Sequence, residues 1–429
     1  MASGKETIIF VDDNPSNLRT GKNVLMGKYT VFTAPGAKPM FELLEEIRPS
    51  LILLDIEMPE MSGYEAIKIL KSKPETADIP VIFLTGKTET DSEIEGLNLG
   101  AIDYITKPFV PALLLKRIEV HLLVAAQRKQ LEYYSKNLEK AFTSYLSEDV
   151  VQIIMSDPSK LQLGGIKRGM TAIFTDVQGF SPIAEKLAPE DLVILLNRYL
   201  TAMSDILLEQ KGTIDKYEGD AIMAFFGAPL DVPNHAIRAC TSAILIKRKE
   251  QELNKIFLES GLSPAPLITR IGINSGDMIV GNMGSERKMN YTVMGNAVNL
   301  AARLEGVNKM FGTWTLISEN TRRESGDTFL CRRLDRVQVA GISEPTRIYE
   351  LVDFMNDATV EQKATVELFH KALDLFEHRE WKLAEAGFQE ALNYAPDDAP
   401  SQVYRRRCSL YRVTPPPAEW DGVFDWTVK

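Results

Sequence analysis

The sequence has 429 residues, about three times a ~150-residue domain, so several domains are expected, each large enough to bury its own core. A hydrophobic fraction of 45%, a charged fraction of 25% and a net charge of −10 are ordinary for a globular chain and argue against a nucleic-acid backbone or an anionic membrane as partner. Three scattered cysteines, Cys240, Cys331 and Cys408, lack metal-ligand spacing and are expected as buried thiols; the start MASGKETIIFVDDN lacks the basic and apolar regions of a signal peptide, and no apolar run reaches about 18 residues, so the expectation is a cytoplasmic protein.

From Lys5 to about Leu122 the runs TIIFV, YTVFTA, LILL, VIFL and AIDYI alternate with helical patterns, which predicts a five-stranded parallel α/β sheet. Functional residues of such a sheet gather at the carboxyl ends of the strands. Here those ends carry Asp12-Asp13, Asp55, Thr85 and, after the last strand, Lys107. Three converging carboxylates repel one another and call for a divalent cation, for which magnesium fits. With Asp55 as nucleophile, the Thr85 hydroxyl and the Lys107 ammonium can hold the oxygens of an added phosphoryl group. Singly, Asp12-Asp13 also reads as a turn before Asn14-Pro15, and Lys107 as a solvated strand end.

Through FVDDN, LLDIEMPEMSGYEA, FLTG and DYITKPF, residues 1–122 resemble the receiver domain of response regulators, a flavodoxin-like fold. The resemblance implies that Asp55 is the phosphoacceptor, served by a cognate histidine kinase or a small phosphodonor. It also implies that Asp12 and Asp13 hold one magnesium ion, that Glu57 offers the metal its backbone carbonyl, and that Thr85 and Tyr104 form a hydroxyl-and-aromatic switch. Phosphorylation adds nearly two negative charges, enough to draw Thr85 inward and let Tyr104 follow.

From Val110 to Tyr145 the pattern is helical. Val124, Leu131, Leu138 and Tyr145 recur every seven residues beside a second stripe of Val120, Gln127, Tyr134 and Ala141. Residues 123–150 are therefore expected as a helical linker, either a short imperfect coiled coil or an amphipathic helix lying on its own domain.

Residues 151–356 form a second mixed α/β region. In GTIDKYEGDAIMAFFG a β-hairpin carries Asp215, Lys216, Glu218 and Asp220 near its tip. The strand AIFTDVQGF stops at Asp176 and turns through Gly179, where amides can approach an anion. Carboxylates from two adjacent strands, Asp176 and Asp220, suit a pair of magnesium ions about 3.5–4 Å apart, the arrangement used for in-line displacement at phosphorus. In YTVMGNAVNLAARLE, Asn299 and Arg303 share one helix face, suited to a sugar and a phosphate.

Together these motifs resemble the class III nucleotidyl cyclase catalytic domain, a ferredoxin-like fold acting as a head-to-tail homodimer. The resemblance implies two Mg2+ (or Mn2+) ions at each site, held by Asp176, Asp220 and the Val177 carbonyl, with the amides of Gly179, Phe180 and Ser181 on the terminal phosphates. The other subunit would supply Lys216 and Thr292 to the purine, Asn299 to the ribose and Arg303 to the α-phosphate. Lys216 donates to adenine N1 and Thr292 accepts from N6, which favours ATP. Thr292 in place of the commoner aspartate matches a bacterial subgroup whose members are often bicarbonate-responsive. One position departs from the pattern, Ala340 standing where a lysine usually reaches the triphosphate; Arg270 is either a compensating charge or a solvated edge residue.

Residues 357–429 read as a small α-helical tail. Ala372, Ala384, Phe388, Ala391 and Pro396 sit at the offsets of one tetratricopeptide unit, which cannot bury its own face, so it docks on the chain, on a second subunit or on another protein, or is a generic helical hairpin. The whole reads as an α/β multidomain, phosphorylation-controlled adenylate cyclase, dimeric through the catalytic domain and the linker. The alternatives are a phosphorelay adaptor that binds nucleotide without turnover, or a guanylate cyclase. A diguanylate cyclase is excluded by EGDAI in place of its acidic signature.

Overall fold

A computed structural model describes residues 5–86, 97–143, 147–157, 159, 161–339, 345–417, 419–420 and 423–426. The chain divides into two units, Met1–Ala141 and Phe142–Lys429.

In the first unit the continuous apolar runs become β1 (Thr7–Val11), β2 (Thr30–Ala34), β3 (Leu51–Asp55), β4 (Val81–Thr85) and β5 (Asp103–Thr106), all parallel, in the order β2-β1-β3-β4-β5. The strand order reverses beside β1, which opens a crevice at the carboxyl ends of β1 and β3. Every residue of β3 and β4 is buried, because helices cover both faces. Two apolar layers result, one with Ile9, Val11, Ile52, Leu54 and Phe83, the other with Ile8, Phe10, Leu53, Ile82 and Leu84. After β3 the helix Gly63–Ser72 opens with a reciprocal cap between Ser62 and Glu65. A Cβ on Gly63 would lie 2.3 Å from the Asp55 carbonyl, so only glycine lets this helix start against the strand end that carries Asp55.

The linker helix spans Pro111–Thr143. Only Leu114 and Ile118 are buried, and Arg117 and His121 pair with Asp103 at 2.6 and 3.0 Å. Beyond that point Val124, Leu131, Tyr134 and Leu138 are exposed, so the helix lies on its own unit over its first turns alone. Tyr145 is outside the described residues.

The second unit is built on a mixed sheet. Its strands are β6 (Gly164–Val177), β7 (Thr213–Glu218), β8 (Ala221–Phe226), β9 (Thr269–Ser285), β10 (Lys288–Met294), β11 (Thr315–Ser318), β12 (Phe329–Val339), β13 (Thr346–Phe354) and β14 (Val423–Trp426). They run in the order β14-β12-β13-β11-β9-β6-β8-β7, with β10 paired to the far half of β9. Alternation along β6 and β8 sends Ile173, Ile222, Ala224 and Phe226 to one face, under the helices Pro189–Glu209 and His235–Glu259. Ala172, Met223 and Phe225 go to the other, against Val298 and Ala301 of the helix Asn296–Phe311.

The tail is not a self-standing repeat, and the tetratricopeptide reading is not supported. Its helices Val360–Glu377, Trp381–Tyr394 and Ala399–Val413 close one core with the sheet, where Phe369, Phe376, Phe388 and Tyr404 meet Leu334, Val337, Ile348, Leu304 and Phe311. The repeat-like small residues mark ordinary close packing of a helix pair: a Cβ on Gly387 would lie 2.9 Å from that of Ala372. Polar contacts fix the docking. Buried Arg332 on β12 donates to Glu350 at 2.7 Å and to Asp398 at 2.7 and 2.8 Å, Arg407 pairs with Asp335 at 2.6 Å, and β14 extends the sheet beside β12. Among the cysteines, Cys240 and Cys408 are buried, whereas Cys331 is only half-buried, at a register shift between β12 and β13.

Candidate active site and phosphoacceptor site

At the carboxyl end of the first sheet, Asp12, Asp13 and Asp55 bring one ligand oxygen each within 4.8 Å of one another. Asp12 is fully buried and accepts hydrogen bonds from the Asn14 amide and the Asn17 side chain, each at 3.0 Å. Lys107 reaches across the crevice and pairs with Asp12 and with Asp55, both at 2.6 Å. Burial raises the Asp55 carboxyl above its ordinary range, and the contact with Lys107 opposes that rise. Thr85 is buried at the end of β4, and Tyr104 is half-buried on the adjacent β5, with the Arg117 guanidinium 5.9 Å from its ring centre. Glu57 is exposed, and its backbone N–H donates to Asp55.

In the second unit, β6 ends where the β7–β8 hairpin turns through Gly219 (φ 66°). The Val177 N–H donates to the Asp220 carboxylate at 3.0 Å, so Asp176 and Asp220 lie at one end of neighbouring strands. Burial, with Asp176 adding to it, raises the Asp220 carboxyl. Just beyond, Gly179 adopts a left-handed conformation (φ 66°) and opens the short helix Phe180–Ala184, with Gly179 and Ser181 exposed. Arg270, on β9 opposite Asp176, is not solvated: its guanidinium contacts Asp176 at 2.8 Å and Glu305 at 2.8 Å. Glu305 lies on the helix that carries Asn299 and Arg303, and burial pushes its carboxyl up to about 7.

Thr292 on β10 donates its hydroxyl proton to Asp215 at 2.5 Å, and Lys216, the next residue of β7, is exposed. Asn299 is exposed and Arg303 half-exposed, and among the described residues neither has an ion pair or a side-chain hydrogen bond. The structure thus groups Asp176 with Asp220 and Arg270, and Thr292 with Asp215, the residue before Lys216. Ala340 lies outside the described residues.

Residues 8–119 match the family model of the response regulator receiver domain, and residues 167–352 match that of the adenylate and guanylate cyclase catalytic domain. The chain is a receiver domain fused to a class III cyclase catalytic domain. It is 32% identical over 279 residues to the terminal-differentiation-specific adenylate cyclase of Dictyostelium discoideum, covering 64% of this chain and 13% of that protein. Adenylate cyclase 1 of Rhizobium meliloti is 33% identical over 199 residues, 46% of this chain and 30% of the relative, so the chain spans less than a third of these two proteins. Among solved structures, the adenylyl cyclase CyaB from P. aeruginosa is 36% identical over 46% of this chain and 100% of that one, with a TM-score of 0.42. No described helix of the receiver–cyclase chain is long and apolar enough to cross a membrane.

The receiver's three carboxylates supply only hard oxygen donors, which suits magnesium or manganese, and Lys107 offsets part of their charge. In the cyclase domain the Asp176 and Asp220 carboxylates are of the same chemistry. Two residues of this site escape motif reading. Asp215 is one of four charged residues near a hairpin tip and nothing marks it apart, and Glu305 looks like a solvated helix acid. Both are placed by partners 77 and 35 positions away in sequence, Thr292 and Arg270.

Proposed function

We propose that this chain converts ATP to cyclic AMP and pyrophosphate, under control of phosphorylation at Asp55. The observation that carries this reading is the Val177–Asp220 hydrogen bond, which closes the hairpin against the end of β6 and sets two carboxylates side by side on a matched cyclase domain. Asp176 and Asp220, with the Val177 carbonyl, would hold two Mg2+ or Mn2+ ions, which would neutralise charge and lower the pKa of the ribose 3′-hydroxyl. The amides of Gly179, Phe180 and Ser181 take the terminal phosphates. A second copy of the chain supplies Lys216 and Thr292 to the adenine, Asn299 to the ribose and Arg303 to the α-phosphate. The 3′-oxygen gives up its proton to solvent and forms a bond to the α-phosphorus as the bond to the pyrophosphate oxygen breaks, releasing pyrophosphate.

In the receiver, an Asp55 oxygen takes a phosphoryl group from a histidine kinase or a small phosphodonor beside a divalent ion at Asp12 and Asp13. Lys107 exchanges its contact with the Asp55 carboxylate for the new phosphoryl oxygens, and Thr85 and Tyr104 shift after it. The linker helix carries the change to the cyclase domain.

The test is turnover by the purified chain with ATP and with GTP, in magnesium or manganese, before and after acetyl phosphate. Cyclic AMP with stoichiometric pyrophosphate, at a rate changed by the phosphodonor, is expected. Nucleotide binding without turnover identifies an adaptor, and cyclic GMP as the main product identifies a guanylate cyclase; either overturns the reading.

A further inference from the structure

The catalytic roles above leave two charged residues of the hairpin unused, Glu218, which is exposed, and Asp215, which is half-buried. On β7, Ile214 pairs with Ala224 and Lys216 with Met223 of β8, so Asp215 is the extra residue of a β-bulge and has no register partner. A bulge breaks the alternation of side chains and re-aims the residue it contains. Here the Asp215 carboxylate reaches β10, where it accepts the Thr292 hydroxyl at 2.5 Å and the backbone N–H of Val293. The amide can only donate, which marks the carboxyl group as an acceptor at this contact. Burial raises the Asp215 carboxyl, and the bond from Thr292 opposes that rise.

A hydroxyl has one proton and two lone pairs, and left to itself it turns to suit whatever faces it. The Thr292 proton is spent on Asp215. Toward the substrate Thr292 therefore offers lone pairs alone, which accept from the 6-amino group of adenine and repel the 6-oxo group of guanine or hypoxanthine. Thr292 by itself is compatible with either base; held by Asp215 it is compatible with one.

We propose that Asp215 is a positioning residue for base selection, fixing the Thr292 hydroxyl as an acceptor toward the 6-position of the purine. This rests on the reading of Lys216 and Thr292 as the adenine-facing pair. Asp215 touches no substrate itself; its effect passes wholly through Thr292, which separates it from the residues that meet the nucleotide.

The test compares kcat/KM for ATP and for inosine triphosphate, which carries the 6-oxo group without the 2-amino group of guanine. The mismatch between Lys216 and the hypoxanthine N1–H is the same in the wild type and in every variant, so it cancels in the comparison. The wild-type chain is expected to favour ATP. In Asp215→Ala the freed hydroxyl can donate to the 6-oxo group, and the ATP-to-ITP ratio should fall roughly 5- to 100-fold, the range for leaving one such polar contact unmade. Thr292→Val should lower the ratio, and adding Asp215→Ala to Thr292→Val should change it no further, because no hydroxyl remains to orient. A general structural role for Asp215 would instead lower both substrates together and add to Thr292→Val. An unchanged ratio in Asp215→Ala, while Thr292→Val lowers it, overturns the proposal and leaves the adenylate reading intact. An unchanged ratio in Thr292→Val, or a wild-type chain without preference for ATP, overturns the base-facing pair and the proposal with it. Asp215→Val, a residue suited to a strand, gives the same comparison should the alanine variant not fold.

Discussion

His370 gives the docking of the tail a sharp dependence on acid. The ring sits on the helix Val360–Glu377, and its Nε2 accepts the backbone N–H of Arg333 on β12 at 2.8 Å. That bond requires an unprotonated Nε2. Burial first, then the neighbouring Arg333 and Arg332 guanidinium groups, lower its pKa from 6.5 to about 4. A base whose folded pKa is depressed binds fewer protons folded than unfolded between these two values. Stability therefore rises with pH across that window and is lost as pH falls from about 6.5 toward about 4. The fall from 6.5 to about 4, at ~1.36 kcal/mol for each tenfold change in proton affinity, gives an upper value of roughly 3 kcal/mol, and partial exposure of the ring trims it to about 2 kcal/mol. The four tryptophans, Trp314, Trp381, Trp420 and Trp426, all lie in the second unit, so urea unfolding of the full chain followed by tryptophan fluorescence reports that unit alone. His370→Gln keeps an acceptor for the Arg333 amide and removes the titration. Between pH 7 and pH 4.5 the wild-type chain should lose about 2 kcal/mol more than the variant. Equal losses in the two proteins would refute the reasoning.

Three further outcomes follow from the sites. Lys216→Glu places an uncompensated acid against adenine N1 and should cost ATP turnover on the order of 2 kcal/mol, roughly 30-fold in kcat/KM, with some gain for GTP when Thr292 is also made small. Asp55→Asn should leave basal cyclase activity measurable and abolish the response to acetyl phosphate, a response of roughly 5- to 150-fold for a coupling of about 1–3 kcal/mol; a wild-type response in that variant would remove the receiver as the switch. Asp176→Ala and Arg303→Ala should each be nearly inactive, yet mixing them should restore roughly a quarter of wild-type activity, since about half the dimers are mixed and each has one intact composite site; no recovery with mixed dimers present would place each site within one chain.

The elements that sequence reveals most readily here are those whose chemistry is local. β1, β3 and β4 are short apolar runs because both faces of the sheet are covered, and each ends on its candidate functional residue, Asp12, Asp55 or Thr85, at or just past the strand. The hairpin is legible because Gly219, with its left-handed backbone, separates two apolar strands, and Asp220 follows directly. What sequence conceals is pairing across long separations. Arg270 reads as an edge residue until β6 and β9 align it with Asp176. Nothing near Thr292 says that its proton goes to a bulged residue 77 positions earlier. The tail is the extreme case: its small and aromatic residues suit a repeat, yet their partners are Leu304, Phe311 and Leu334 of the catalytic domain.

That last pairing bears on catalysis. The helix Asn296–Phe311 presents Asn299 and Arg303 toward solvent while Leu300, Leu304, Val307 and Phe311 enter the core shared with the tail. On its strand side the helix rests almost backbone to backbone on β9: a Cβ on Gly272 would lie 2.2 Å from the Glu305 nitrogen and 2.3 Å from the Ala301 carbonyl oxygen. At its C-terminal end Gly312 (φ 66°) lies so close to the tail that an added Cβ would be 2.5 Å from that of Ala399. The helix is thus held between sheet and tail, and its register against β9 admits little sliding without a backbone clash. A catalytic contact loses much of its effect when its group is misplaced by about 1 Å, because the developing charge must meet a counter-charge already in position. With the roles proposed for Asn299 and Arg303, the tail would act on them without approaching them, by holding the opposite face of their helix. Arg332 and Arg407, buried and paired with Asp398 and Asp335, keep that face closed, and the unprotonated ring of His370 keeps the first tail helix against β12. In this chain the tail is therefore part of the scaffold that holds the helix carrying Asn299 and Arg303.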